Sequence, residues 1–137
     1  MKSDAPIHLD SSIVIGLLNA DDAHNLAVRD ALKHARRKSE RFVLSTAAYA
    51  ETLVLPAVRG ATALTHAKQS IAKLCFGDPV FIDREAAEMA ASLRAKHAGL
   101  RSVDALVVAS ARTSGAKYLL TADKQLARLS GVRYVGE

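Results

Sequence analysis

Short apolar runs alternate along this chain with longer stretches whose apolar positions have helical spacing. Ile7-His8-Leu9 reads as a short strand ending at Asp10, and Phe42-Val43-Leu44 as a second, with Ser45 placed to cap a helix. Val80-Phe81-Ile82 is a third strand ending at Asp83, Tyr118-Leu119-Leu120 a fourth and Val132 to Val135 a fifth. The intervening segments predict helices. Ile13 to Leu18 is a short buried one with Asp10 or Ser11 at its cap. Ala23 to Lys38 grows basic towards Arg36-Arg37-Lys38, where cations suit the helix dipole. Thr46 to about Leu55 is a helix that Pro56 disturbs and Arg59-Gly60 ends, and Ala61 to Phe76 is the next. Ala86, Met89, Ala90 and Leu93 mark one half-buried face of a helix ending at Gly99. Ser102 is expected to cap a strongly apolar helix from Val103 to about Ser114, closed by Gly115, and a short helix runs from Asp123 to Leu129.

Strands that alternate with helices predict an α/β fold, with a parallel sheet covered on both faces. At 137 residues, with no repeat or linker, the chain reads as a single domain over 1–137.

Composition narrows the function classes. Hydrophobic residues at 50% and charged residues at 24% describe a globular chain. Lys+Arg 19 against Asp+Glu 14 gives a net charge of +5, which suits a nucleic-acid partner without establishing one. The single Cys75 excludes an internal disulfide and argues against a Cys-rich zinc site, and the five histidines lack metal-ligand spacing. Without Trp and with 4% aromatics, a base-stacking surface is not expected. Met1 to Asp10 is charged and lacks the apolar core of a signal peptide. Ile13–Leu18 and Ala105–Ala109 fall short of the ~20 residues of a membrane span. These features predict a cytoplasmic protein with no membrane association.

The candidate chemistry is acidic. Parallel α/β sheets place ligands beyond the carboxyl ends of their strands, and Asp10, Asp83 and Asp123 follow predicted strands there. Asp104 falls in the first turn of the apolar helix. Glu51 lies on a helix face shared with Ala47, Ala48, Val54 and Leu55, where its charge is costly to bury without compensation. Asp10, Asp104 and Asp123 could each serve only as helix-start acids, and Asp83, beside Arg84 and Glu85, fits that role best. Glu51 has no capping role. Carboxylates gathered at one sheet edge repel, and a divalent cation is the simplest compensation; oxygen-only ligands suit Mg²⁺ or Mn²⁺. A P-loop or dinucleotide-binding domain is disfavoured because neither glycine motif is present. Ser11 and Ser12 after Asp10 disfavour a phosphoacceptor receiver or an Asp-x-Asp phosphatase. Arg36-Arg37-Lys38 with Arg41, and Arg94, Lys96 and Arg101 nearer Asp104, are candidate contacts for phosphates.

Four segments together carry a family resemblance: I-H-L-D-S-S-I-V-I-G-L-L around Asp10, S-T-A-A-Y-A-E-T-L around Glu51, S-V-D-A-L-V-V-A-S-A around Asp104 and Y-L-L-T-A-D-K-Q-L around Asp123. In this order they resemble the PIN-domain ribonucleases, and among those the VapC toxins of VapBC toxin–antitoxin pairs, over essentially the whole chain. The resemblance implies a PIN-like three-layer α/β/α sandwich around a mostly parallel five-stranded sheet in the order 3-2-1-4-5. It implies a Mg²⁺- or Mn²⁺-dependent endoribonuclease with Asp10, Glu51, Asp104 and Asp123 as metal and catalytic residues, Asp10 and Asp104 being the main direct ligands. Thr121 also matches the family pattern, and Ser12 or Thr121 could orient a carboxylate. The implied partners are an RNA substrate, a second copy of the chain in a homodimer, and a VapB-type antitoxin that places a basic side chain near the acids. The alternative is a catalytically inactive PIN-like module that binds RNA or protein.

Overall fold

The computed structural model describes residues 4–136. Lys2, one of the charges in the amino-terminal stretch, lies outside the described residues, as does Glu137. The strands are β1 (Ile7–Leu9), β2 (Phe42–Val43), β3 (Leu119–Thr121) and β4 (Val132–Tyr134). The helices are α1 (Ser11–Leu18), α2 (Asn25–Arg37), α3 (Thr46–Arg59), α4 (Ala61–Leu74), α5 (Arg84–Lys96) and α6 (Ser102–Thr113), with a 3₁₀ turn at Leu126–Arg128.

All strand pairs are parallel, and the sheet order is β2-β1-β3-β4. Successive strand residues point to opposite faces, yet Ile7, His8 and Leu9 are all buried, as are Leu119, Leu120 and Thr121. The central strands are therefore covered on both sides, which gives the three-layer α/β/α sandwich. At the edge, β4 is only half-buried and Arg133 is exposed.

The sheet has four strands rather than the five expected. Val80 makes one parallel bridge to Ser45, donating to the Leu44 carbonyl at 2.8 Å and accepting from the Thr46 amide at 2.8 Å. That bridge occupies the outer place beside β2 that the order 3-2-1-4-5 assigns to a third strand. Pairing stops there because Phe81 turns outward, 81% exposed, and Asp83 already caps α5. A very short edge strand also limits unwanted strand pairing.

Several boundaries differ from the sequence pattern for local reasons. Helix α3 ends at Arg59 and Gly60 as the pattern predicts, with φ 121° at Gly60, but it runs through Pro56 as continuous α-helix rather than being disturbed there. Arg101, not Ser102, occupies the N-cap of α6. Helix α5 stops at Lys96, before Gly99, and Arg94 Nε donates to the Leu100 carbonyl across the turn that follows. Ser45 does cap α3, accepting the Ala48 amide at 3.1 Å, and Asp83 caps α5, accepting the Ala86 amide at 2.9 Å. Among the described residues, no helix is long and apolar enough to cross a membrane.

Candidate metal-binding and catalytic site

The strand order places β1 between β2 and β3, so the connections leave β1 and β3 in different directions. Such a switch point opens a crevice at the carboxyl ends of its strands. Asp10 directly follows β1, and its amide donates to the Leu120 carbonyl at 2.9 Å, which fixes it at the end of the β1–β3 pairing. It takes the N-cap position of α1, but its carboxylate makes no capping hydrogen bond. That carboxylate turns to side chains instead. Ser12 Oγ donates to Asp10 Oδ2 at 2.6 Å, and Thr121 Oγ1 donates to the same oxygen at 2.8 Å. Both hydroxyls are themselves anchored, Ser12 Oγ accepting the Ala122 amide at 2.9 Å and Thr121 Oγ1 the Asp123 amide at 3.0 Å. The sheet ends thus hold one oxygen of Asp10 firmly. Its other oxygen, Oδ1, is buried with no hydrogen-bond partner.

Glu51 comes from the second turn of α3 and Asp104 from the first turn of α6, and with Asp10 they offer three carboxylate oxygens within 4.8 Å of one another. Ser11 Oγ donates to Glu51 Oε1 at 3.0 Å. Arg101 closes the group from outside. Its Nε donates to Asp104 Oδ2 at 2.9 Å and its Nη2 to Asp104 Oδ1 at 3.1 Å, while Nη2 also lies 3.8 Å from Glu51 Oε2. Burial raises the Asp10 pKa, the Ser12 and Thr121 hydroxyls oppose that rise, and the Asp104 charge adds to it. The hydrogen bonds and charge of Asp104 raise the Arg101 pKa further, so that guanidinium stays charged.

Asp123 sits differently. Its backbone joins the Thr121 hydroxyl network, but its Oδ1 accepts the Gln125 amide at 2.9 Å and so braces the turn that follows β3. It stands outside the three-carboxylate group and lines, with Asp104, Arg101, Gln125 and Arg128, an adjoining cleft of about 510 Å³. Asp83 is the ordinary helix cap its neighbours predicted. Of the basic candidates, Arg36 is spent on the Lys73 and Leu74 carbonyls at the end of α4, and Arg41 on the Asp4 carbonyl and the Phe76 ring. Arg101 was foreseen as a phosphate contact but serves the carboxylates here. Ser11 was not foreseen in the site; its place one residue after Asp10 on a helix start was the available signal.

The donor set fits a hard divalent cation. It is all carboxylate oxygen, it carries excess negative charge, and the bare buried Oδ1 of Asp10 is a polar atom whose burial is costly without a partner.

A parallel α/β sandwich with an acidic cluster at its switch point defines the class. Within it, the PIN domain family model matches residues 7–132, and the chain belongs to that family. Solved structures show the same fold. FitAcB from Neisseria gonorrhoeae aligns with a TM-score of 0.74 at 21% identity, covering 96% of this chain and 99% of that one. A toxin–antitoxin complex from Klebsiella pneumoniae aligns at 0.73 and 19% identity, covering 94% and 97%. VapC20 of Mycobacterium tuberculosis, described as a sarcin–ricin loop cleaving toxin, aligns at 0.72 and 21% identity, covering 92% and 96%. A comparison with curated protein sequences found no match.

Proposed function

We propose that the protein is a Mg²⁺- or Mn²⁺-dependent endoribonuclease that acts in the cytoplasm as the toxin of a type II toxin–antitoxin pair. The observation that carries this reading is the group of Asp10, Glu51 and Asp104, with Asp10 Oδ1 buried and bare inside a PIN fold. Asp10 and Asp104 are the main ligands for the ion, and Glu51 and Asp123 complete the site directly or through water. A divalent cation there supplies charge that activates water at neutral pH and offsets negative charge developing on the scissile phosphate.

The chain's own residues do the rest. Ser12 and Thr121 both hold Asp10 Oδ2 and so fix the carboxylate, a supporting role that keeps ligand geometry tight and leaves Oδ1 without a protein partner. Ser11 holds one oxygen of Glu51. The Glu51 side chain is 26% exposed, so it can take a proton from attacking water and pass it to solvent. The cleft beside Asp104 and Asp123, with Arg101 and Arg128 in its wall, suits an RNA strand, because cations there neutralise phosphates. In this reading water attacks phosphorus in line with the P–O3′ bond; that bond breaks, O3′ leaves and takes up a proton from solvent, and the products are a 3′-hydroxyl and a 5′-phosphate.

A VapB-type antitoxin and a homodimer complete the proposal. Similar solved structures include a toxin–antitoxin complex and a member of the VapBC family of toxin–antitoxin systems. Val54, Leu55 and Val58 on α3 and Leu18 on α1 are exposed and supply apolar surface for such partners.

The test is cleavage of total RNA. Activity is expected to vanish with chelator and return with Mg²⁺ or Mn²⁺, and Asp104→Asn, which removes one charge at nearly constant size, is expected to bind RNA but lose cleavage by orders of magnitude. Full activity in excess chelator sinks the mechanism. Binding without cleavage across several RNAs and both metals identifies an inactive binding module instead.

A further inference from the structure

Arg101 stands where helix physics disfavours it. It is the N-cap residue of α6, at the positive end of the helix dipole, and its side chain makes no capping bond. The carboxylates account for its position. Its fork takes both oxygens of Asp104 and leans on Glu51, so one guanidinium engages two of the three clustered acids. Packing does not lock it there, since the Arg101 side chain is 69% exposed. The same residue lines the cleft that Asp104 and Asp123 share with Arg128.

We propose that Arg101 is an exchangeable counter-cation. It neutralises Asp104 and Glu51 while no ion is held, yields those oxygens to a divalent cation, and then contacts an RNA phosphate in the adjoining cleft. This inference rests on the metal-dependent ribonuclease reading. Two cations of the same sign cannot share these oxygens at close range without repulsion, and the guanidinium is the one free to leave, because its stem is solvated. Its fork matches a phosphate as well as a carboxylate, so the freed group has a second anionic partner nearby. Linkage makes the competition reciprocal: Arg101 weakens the ion's hold by the same factor by which the ion weakens that of Arg101.

Calorimetric titration of the metal-free full chain with Mn²⁺, without RNA, reads the first half. Arg101→Gln is expected to bind Mn²⁺ roughly tenfold more tightly than wild type. Arg101→Lys is expected to fall between them, because an ammonium keeps the charge but not the fork. If Arg101→Gln does not fold, as judged by far-ultraviolet circular dichroism, the Lys variant carries the comparison. The second half is read by equilibrium binding of a 2′-O-methyl oligouridine at saturating Mn²⁺, with its integrity checked by gel after each titration. Arg101→Gln is expected to bind it severalfold more weakly, and its slope of log affinity against log salt is expected to be shallower by about 0.7. Equal Mn²⁺ affinity in wild type and the folded variants overturns the proposal, and so does unchanged RNA affinity. If neither wild type nor folded Arg101→Gln binds Mn²⁺, the metal reading and this inference fall together. Wild type that binds Mn²⁺ as tightly as the variants sinks the role of Arg101 alone.

Discussion

Two buried side chains on and just after β1 respond to acid in opposite senses. His8 is 2% exposed, and its Nε2 lies 3.1 Å from Ser114 Oγ. Burial disfavours the imidazolium and lowers its pKa from 6.5 to about 4. The folded state resists protonation while the unfolded chain accepts it, so stability falls as pH drops from 6.5 towards 4. The shift corresponds to about 3 kcal/mol. His8→Gln, which keeps a polar group near Nε2 and cannot titrate, is expected to flatten the stability curve across that window in denaturant melts. An unchanged curve assigns the acid sensitivity to other groups. Asp10 works the other way. Its raised pKa means that the folded state holds its proton longer than the unfolded chain, so this carboxylate costs stability at neutral pH and the cost fades on acidification. Asp10→Asn removes a buried charge whose Oδ1 has no hydrogen-bond partner, from a group that also holds Glu51 and Asp104. It is expected to raise the stability of the metal-free protein at neutral pH by about 1 kcal/mol, since site charge is kept for function rather than stability. A lower melting temperature for Asp10→Asn contradicts that account.

The elements deliver these residues through their ends. Helix α3 sets Glu51 by where it begins, and Ser45 sets that beginning: the side chain is buried and accepts the Ala48 amide. Ser45→Ala is expected to cost about 1 kcal/mol in thermal or denaturant melts. Because fraying of the first turn also shifts Glu51, Mn²⁺ affinity is expected to fall with it. Normal stability and normal ion binding together remove Ser45 from both roles. The caps at Ser45 and Asp83 were legible in the sequence because a cap is local: one side chain reaches an amide three residues on. The start of α6 was not. Ser102 has the better capping side chain, yet Arg101 takes the cap position, where the acids of two helices hold its guanidinium. The end of α3 at Gly60 was legible, whereas its unbroken course through Pro56 was not, for a backbone reason. Pro56 removes one donor, but the remaining amides still close the last turn onto Gly60, which donates to the Pro56 and Ala57 carbonyls.

For the molecule as a whole, the proposed ion site carries a prediction about stability. An ion that binds the folded chain and not the unfolded one stabilises by mass action, by ~2.7 kcal/mol at a hundredfold excess over its dissociation constant. The melting temperature is therefore expected to rise with added Mg²⁺ or Mn²⁺. Asp10→Asn and Asp104→Asn are expected to lose most of that rise, as wild type does in excess chelator. A full Mg²⁺ shift in both variants places the ion elsewhere. Assembly belongs to the same scale. Exposed Val54, Leu55 and Val58 on one helix predict a dimer of the free protein by light scattering, and Val58→Asp is expected to shift it towards monomer. A wild-type monomer at all concentrations removes the homodimer from the proposal.

Periodicity along the chain was enough for the alternation of strands and helices, the parallel α/β class and the places of Asp10, Glu51, Asp104 and Asp123, because these depend on side chains a few residues apart. It was not enough for the sheet's outer edge, since Val80-Phe81-Ile82 has the composition of a strand and pairing stops only because Phe81 turns outward into solvent. Nor could it divide the acids by role. Asp10, Glu51 and Asp104 meet because β1, α3 and α6 converge at one switch point, while Asp123 turns its carboxylate to its own loop. Which hydroxyls hold Asp10, which oxygen stays bare, and which arginine leans on the cluster depend on groups separated by up to 111 positions in the chain. Distances of that kind are set when the core closes, and no local pattern encodes them.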